Sequence, residues 1–438
     1  MLTPEYLQKT VEETEQIAAE FSEYCAVIVA TRIKKLFEAT QKAKIIPASI
    51  YKIRQMREAR KTMEEVVKAV EKYTPKLENV VRHAFQQATV EIEHDAATIT
   101  TDILEANPEI KKRVKVDNIK LPSLKRKDAS AAADAMTPKE KRLMERAYKA
   151  TNSEIRNYTR TTASDWQKEF ITECDKAYWK TTHGTSINDA IREAVDNVAQ
   201  YGTHIVYPSG HRDRVEVAVA RAVRTGIAQA AGDITLTRCA EMGVNHVIVT
   251  SHIGARTTPR IEPANHYSWQ GQVYSLNWGD KALKKYLPTP EENKEIQKQN
   301  GYMVYIKQNL NDVKSNKYKD FVKTTGYGTG EGLCGWNCRH TFSLFYPNIN
   351  VNNQKKFTEK ENEQYYQTTQ NMRAMERGIR ELRRRKRAME AAGVSKDDPK
   401  YKRISSDLNN SHTQYNNYCR AHKMRPLEER LNIPNWRK

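Results

Sequence analysis

Residues 213–251, DRVEVAVARAVRTGIAQAAGDITLTRCAEMGVNHVIVTS, decide the fold. Val215, Val219, Ala222, Val223, Ile227 and Leu236 return at helical spacing and lay an apolar stripe along one face, while Arg221, Arg224 and Arg238 decorate the rest. Gly243 supplies the flexible residue on which such a helix ends. The VNHVIVTS that follows is short and β-branched, so residues 244–251 read as a buried strand. Strand-like pieces recur at 272–276 and 341–345, with loops and an insertion at 281–323 between them. A long helix feeding a few short strands predicts a small α+β domain.

Outward from this centre the chain reads as helix. Leu2, Tyr6, Val11, Ile17, Phe21, Cys25 and Ile28 keep helical spacing, as do Val66, Val67, Val70, Tyr73 and Leu77. Thr137-Pro-Lys-Glu140 has the threonine cap, first-turn proline and third-position glutamate of a helix start, and predicts a helix to about residue 180, with another over 186–200. The fold class expected is mainly α with a small α+β domain. Four consecutive segments are expected: an N-terminal helical arm at 1–105, a basic linker at 106–136, a helical plus α+β region at 137–350, and basic C-terminal helices at 351–438.

Composition narrows the function classes. The 438 residues carry 73 Lys or Arg against 54 Asp or Glu, a formal charge of +19, with only 38% hydrophobic residues and a mean hydropathy of −0.80. Residues 351–438 alone hold 21 Lys or Arg against 11 Asp or Glu. Such a chain suits a polyanionic partner and excludes an integral membrane protein. Glycine (17) and proline (15) are scarce, which favours long helices over a turn-rich β architecture. No secretory leader opens the sequence, and the six scattered cysteines suit reduced thiols in a host cytoplasm.

The densest chemistry lies in the α+β part: His252-Ile-Gly-Ala-Arg256, His266, Trp269-Gln270-Gly271, Tyr274, then Cys334-Gly-Trp-Asn337-Cys338-Arg339-His340. Gly254 and Gly271 permit shaped loops, and Arg256 and Arg339 present planar charged forks. Cys334, Cys338 and His340 with His252 or His266 have the donor types of a tetrahedral zinc shell, although C-x₃-C-x-H is not among the strong zinc spacings. The expectation is a reduced, hydrogen-bonded cluster without cofactor, with zinc as the alternative. A Cys–His nucleophile pair or histidine-assisted phosphodiester cleavage is the enzymatic alternative, but Glu262 and Asp280 stand in no motif that would orient a histidine or hold magnesium. Gly326-Tyr-Gly328-Thr-Gly330-Glu-Gly332 lacks the lysine and the strand-to-helix setting of a phosphate loop.

The best nucleic-acid candidate is the basic helix at 373–387. Arg373, Arg377, Arg380, Arg384 and Arg387 step by three or four, with Arg383, Arg385 and Lys386 beside them, and Tyr365, Tyr366 and Tyr415 flank the stripe as possible stacking groups. No helix-turn-helix, zinc-finger or RNA-binding signature accompanies it, so contact would be with DNA backbone and not with sequence.

The succession of the arginine-studded helix, the strand, His252-Ile-Gly-Ala-Arg256, His266, Trp269-Gln-Gly271, Tyr274-Ser275 and Cys334-Gly-Trp-Asn-Cys338-Arg-His340 resembles the phage minor capsid protein 2 family, minor head proteins of tailed phages related to the Mu F-like ones. The family pattern has proline directly after the arginine, whereas here Thr257 and Thr258 precede Pro259, and Gln272 stands where lysine is common. The resemblance implies a structural, non-enzymatic protein of the phage head, near the portal vertex, that assists assembly and the packaging or ejection of DNA. Its implied partners are the portal protein, other head proteins and phage DNA, with no membrane. The implied locations are the virion and, during assembly, the host cytoplasm. A metal-dependent nuclease or toxin-like enzyme delivered with the genome is the competing class.

Overall fold

The computed structural model describes residues 2–41, 47–108, 129–201, 204–207, 209–299 and 317–431. In chain order, α1 (Pro4–Gln41), α2 (Ala48–Ala106), α3 (Ala129–Ala135), α4 (Pro138–Thr182) and α5 (Ile187–Tyr201) precede an antiparallel pair, β1 (His204–Val206) and β2 (Arg212–Arg214). The helix α6 (Val215–Met242) leads into β3 (His246–Val249), β4 (Val273–Ser275), α7 (Lys281–Lys284), α8 (Pro290–Gln299), α9 (Phe321–Thr325) and β5 (Phe342–Leu344). The basic end forms α10 (Glu359–Ala391), α11 (Pro399–Ala421) and α12 (Glu428–Leu431). The protein is mainly α with a small α+β part, as the sequence predicts.

Local chemistry explains most boundaries. At the start of α4 the Thr137 amide donates to the Glu140 carboxylate at 2.8 Å and the Glu140 amide returns a bond to Thr137 Oγ1 at 3.2 Å, the reciprocal cap its spelling foretells. Gly243 ends α6 at φ +69°, and the Val244 amide closes the turn on the Cys239 carbonyl at 2.7 Å. Two elements depart from expectation. The β1–β2 pair falls where no strand was foreseen. Within 106–136, Ala129–Ala135 is helix instead of linker, because an alanine-rich run has high helix propensity; residues 109–128 lie outside the described residues, as do 300–316 of the insertion.

Contacts divide the chain into two units, each drawn from three stretches, so the N-terminal helices supply residues to both. One unit comprises 1–11, 81–152 and 221–367 and carries the three-stranded sheet, ordered β4–β3–β5 and antiparallel throughout. Central β3 pairs Val247 with Tyr274 on one side and with Leu344 on the other, and all four of its residues are buried. Phe321 packs its ring 4.9 Å from Phe342 and 5.4 Å from Tyr327. Glycine brings α6 close to its neighbours: a Cβ on Gly226 would sit 2.1 Å from Thr151 Oγ1, and one on Gly232 would sit 2.9 Å from the Tyr327 hydroxyl. Arg238, half-buried, stands in this unit between the buried Glu93 and Glu140 and pairs with both.

The other unit comprises 12–80, 153–220 and 368–438. Its core is rich in large rings: Phe21, Phe37, Tyr51, Tyr73, Trp166, Phe170 and Tyr415 are fully buried. Tyr51 stacks on Tyr178 at 3.9 Å and donates to the Cys174 carbonyl at 2.6 Å. A second cluster gathers Met372, Ile379, Leu408, Tyr415, Cys419 and Leu431 from the C-terminal helices. All six cysteines of the chain are free and buried. Among the described residues, no helix is long and apolar enough to cross a membrane.

Candidate functional site

The loop after β3, the 3₁₀ turn His266–Ser268 and the segment before β5 meet in the β-bearing unit, and they bring the histidines together. Antiparallel pairing fixes the meeting point: the Thr250 amide donates to the Thr341 carbonyl and the Thr341 amide to Thr250 Oγ1, each at 2.9 Å. The rings of His252 and His340 stack at 4.4 Å, His266 lies 5.4 Å from His340, and buried Trp269 stands 4.9 Å from His340 and 4.6 Å from His266. Trp269 Nε1 donates to the Pro263 carbonyl, and the Tyr274 hydroxyl donates to the Trp269 carbonyl at 2.6 Å.

Gln270 is the hub of this network. Its Oε1 accepts the His252 amide at 2.9 Å and faces His340 Nε2 at 3.1 Å. Because a backbone amide only donates, that oxygen is fixed as acceptor, and His340 must carry its proton on Nε2. His266 Nε2 lies 2.8 Å from the Glu331 carbonyl, which fixes the same tautomer there. The free Nδ1 of His340 is 3.6 Å from Cys338 Sγ. Both Cys338 Sγ and Cys334 Sγ approach the His340 carbonyl oxygen, at 3.7 and 3.8 Å. Burial holds the His340 ring far below its ordinary pKa, reinforced by the neighbouring histidines and arginines, and pulls His266 down to about 4. Burial also raises both thiols. These four side chains, His266, His340, Cys334 and Cys338, are therefore uncharged at rest.

The remaining motif residues frame it. Gly254 adopts φ +78°, and a Cβ there would meet Tyr365 Cδ1 at 2.7 Å, so glycine is required on both counts. Gly271 is also left-handed, at φ +67°. Arg256 donates to the Trp336 carbonyl at 3.0 Å, Arg339 to the Gly254 carbonyl at 3.3 Å, and Asn337, at φ +57°, accepts from Arg224 at 3.2 Å. Sequence reasoning missed Asn362. Fully buried at the start of α10, it accepts from the Ala255 amide and donates to the Ala255 carbonyl, both at 2.9 Å, and so clamps the His252–Arg256 loop. Nothing in the local sequence around a helical asparagine announces such a contact.

The structure revises two expectations. Of the four metal candidates, Cys334, Cys338, His340 and His252, the last has Nδ1 2.9 Å from the Ile253 carbonyl, and the donor atoms brought within 4.8 Å of one another belong to His266, Cys338 and His340, leaving both His252 and Cys334 outside the set. The arginine stripe of α10 is largely consumed inside its own unit. Arg380 pairs with Glu15 at 3.3 Å, Arg385 with Asp196 at 2.7 Å, and Arg387 with Glu23. Arg384, 4% exposed, donates to the Ala199 carbonyl at 2.6 Å, and Arg383 to the Leu431 carbonyl. Arg373 and Lys386 are half-buried and Arg377 is exposed. Tyr415, offered as a base-stacking ring, is fully buried with its hydroxyl 3.1 Å from Glu376. The helical spacing was right, but carboxylates distant in sequence had taken the charges.

Fold and site together define a helical structural protein with a small sheet and a locked histidine–cysteine cluster. The family described as Phage minor capsid protein 2 matches residues 2–419, nearly the whole chain, and the protein belongs to it. It is thus a phage minor capsid protein, a component of the virion that works among other head proteins. Comparison with curated proteins and with solved structures returns no match.

Proposed function

We propose that this minor capsid protein sits near the portal vertex and assists head assembly and the passage of DNA through backbone contacts without sequence preference. The charge surplus carries the reading. With 73 basic residues against 54 acidic ones, 19 cations exceed the available carboxylates however the ion pairs are drawn. The pairs spent inside the fold therefore do not diminish the excess, which must be balanced by an external anion. Packaged DNA is the densest one available inside a phage head.

The arginines of α10 are mostly unsuited to that contact, since moving them onto phosphate would strip buried carboxylates of their partners. Better candidates are the basic run from Lys111 to Lys127 and the exposed Arg420, His422 and Lys423 at the end of α11. Docking on head proteins has separate support on α2. There Ile50, Ile53, Met56, Met63 and Val67 are all exposed, Ile53 to 68%, at spacings that keep them near one helical face. The histidine–cysteine cluster, hydrogen-bonded largely to backbone carbonyls and an amide, holds loop shape in this reading and performs no turnover.

A salt titration of the purified chain on mixed-sequence duplexes tests the DNA contact. The expected result is affinity that falls linearly with log salt and is indifferent to sequence. Replacing Lys111, Lys112, Arg113 and Lys115 by glutamine lowers the slope by about 0.9 for each phosphate that those side chains neutralise. Absence of binding at low ionic strength would remove DNA from the proposal. Co-precipitation with portal protein that survives Ile53→Glu with Met56→Glu would remove the docking face.

A further inference from the structure

We propose that His266, Cys338 and His340 bind a Zn²⁺ ion, with Cys334 closing a Cys₂His₂ shell. The site is separate from the DNA and docking surfaces and stands whether or not those readings hold. Its first argument is spacing. Tetrahedral zinc with Zn–S near 2.3 Å and Zn–N near 2.0–2.1 Å holds a sulfur and a nitrogen donor roughly 3.5–3.6 Å apart. Cys338 Sγ and His340 Nδ1 lie 3.6 Å apart, and the donor atoms of all three residues fall within 4.8 Å of one another.

The second argument is tautomer. A metal-binding imidazole needs a lone pair toward the ion and normally donates its other N–H to a carbonyl or carboxylate, which fixes the ring. Both rings are held in that state from outside: His266 by the Glu331 carbonyl and His340 by Gln270 Oε1, each through Nε2. Nδ1 is left as the ligating atom in both. Gln270 is itself held by the His252 amide, so the shell around the ligands is braced before any ion arrives.

The third argument is charge. Arg256 and Arg339 are held against the neighbouring loops by the Trp336 and Gly254 carbonyls, so a divalent ion in this positively charged setting needs compensating anions. One thiolate leaves the centre with a single positive charge; a second brings it to neutrality. Cys334 is the thiol to supply it: its sulfur is outside the 4.8 Å set, but it is buried and approaches the same His340 carbonyl oxygen as Cys338, so closing the shell requires that sulfur to turn toward the ion. Zn²⁺ would displace the proton from each thiol, and the two protons would leave to solvent. Soft sulfur with imidazole favours zinc over the hard, oxygen-seeking cations.

The untagged full-length chain, purified with added zinc and dialysed, is expected to retain one zinc per chain by elemental analysis. X-ray absorption should show sulfur and nitrogen scatterers in equal number, with sulfur at about 2.3 Å. Replacement by Co²⁺ should give a thiolate-to-metal charge-transfer band that is weakened in Cys338→Ser and in Cys334→Ser, lost when both are replaced, and unchanged in Cys419→Ser. A wild-type chain that retains no metal, or a metal whose shell contains no sulfur, overturns the proposal, and both are read on the native protein even where a variant fails to fold. A band left at full intensity by Cys338→Ser, or one that survives replacement of both Cys338 and Cys334, overturns it equally.

Discussion

Arg238→Ala tests how the β-bearing unit tolerates charge in its interior. The side chain is 12% exposed and its two partners, Glu93 and Glu140, are 6% and 3% exposed, so one guanidinium serves two carboxylates almost out of water. The pair is not symmetric. For Glu140, burial raises the pKa, but Arg238 and the Thr137 cap outweigh it and the carboxyl is held below its ordinary value. For Glu93, burial wins over Arg238, with Glu140 adding repulsion, and the carboxyl is pushed above it. A depressed carboxyl contributes stability above its unfolded pKa and loses it as pH falls through the folded one; a raised carboxyl costs stability at neutral pH, and the cost fades as it protonates. In the wild type these trends oppose each other and the pH dependence from this trio is shallow. Removing Arg238 leaves two buried, mutually repelling carboxylates, at a cost of about 3–5 kcal/mol at pH 7. Both pKa values then move up, so the variant should recover part of its deficit between pH 7 and about pH 5, where the carboxyls take up protons. Urea denaturation of wild type and variant across that range measures both quantities. A deficit under 1 kcal/mol, or one that stays constant with pH, would refute the description of a buried charge trio; restoration by Arg238→Met with Glu93→Leu and Glu140→Leu would support it.

Three further outcomes rest on other interactions. Gly254→Ala should lower stability by about 1–2 kcal/mol from the left-handed backbone alone, with an added cost from the collision with Tyr365, read as a fall in melting temperature. Asn362→Ala leaves the Ala255 amide and carbonyl without their buried partner; a loss of about 1–3 kcal/mol per group is expected, together with faster amide exchange at Ala255. Glu15→Ala removes the carboxylate that Arg380 pairs with and leaves Arg430 with Glu376 alone, and should destabilise the other unit by about 3–5 kcal/mol, whereas Lys402→Ala on the surface should be nearly silent.

How much of this was legible in the sequence depends on how local the cause is. The helix at Val215–Met242, its glycine stop and strand β3 follow from periodicity and caps, which neighbours along the chain fully specify. The motif segments of the cluster were legible for the same reason, because glycine, tryptophan and cysteine at fixed offsets announce a shaped loop. Which histidine faces which thiol was not, since that is set by the pairing of β3 with β5, a contact across nearly a hundred residues of chain. The β1–β2 pair was missed because its second strand is Arg212–Asp213–Arg214, three residues with no apolar alternation to read. The α10 stripe shows the limit most plainly: arginine spacing fixes a face, but Glu15, Glu23 and Asp196, which own that face, are more than 180 residues away in sequence.

That last point separates two uses of positive charge that composition alone merges. Arginines paired with buried carboxylates are shielded from solvent ions, and added salt screens them weakly; exposed cations such as Arg420 and Lys423 face solvent, or phosphate when DNA is bound. The two populations must therefore respond differently to ionic strength. Raising salt should release DNA along a linear log–log slope while the unfolding midpoint hardly moves, so that the chain lets go of its polyanion fully folded. If instead DNA release and loss of structure coincide, the α10 arginines are exchanging carboxylate for phosphate, and the internal pairs belong to a switch and not to the scaffold.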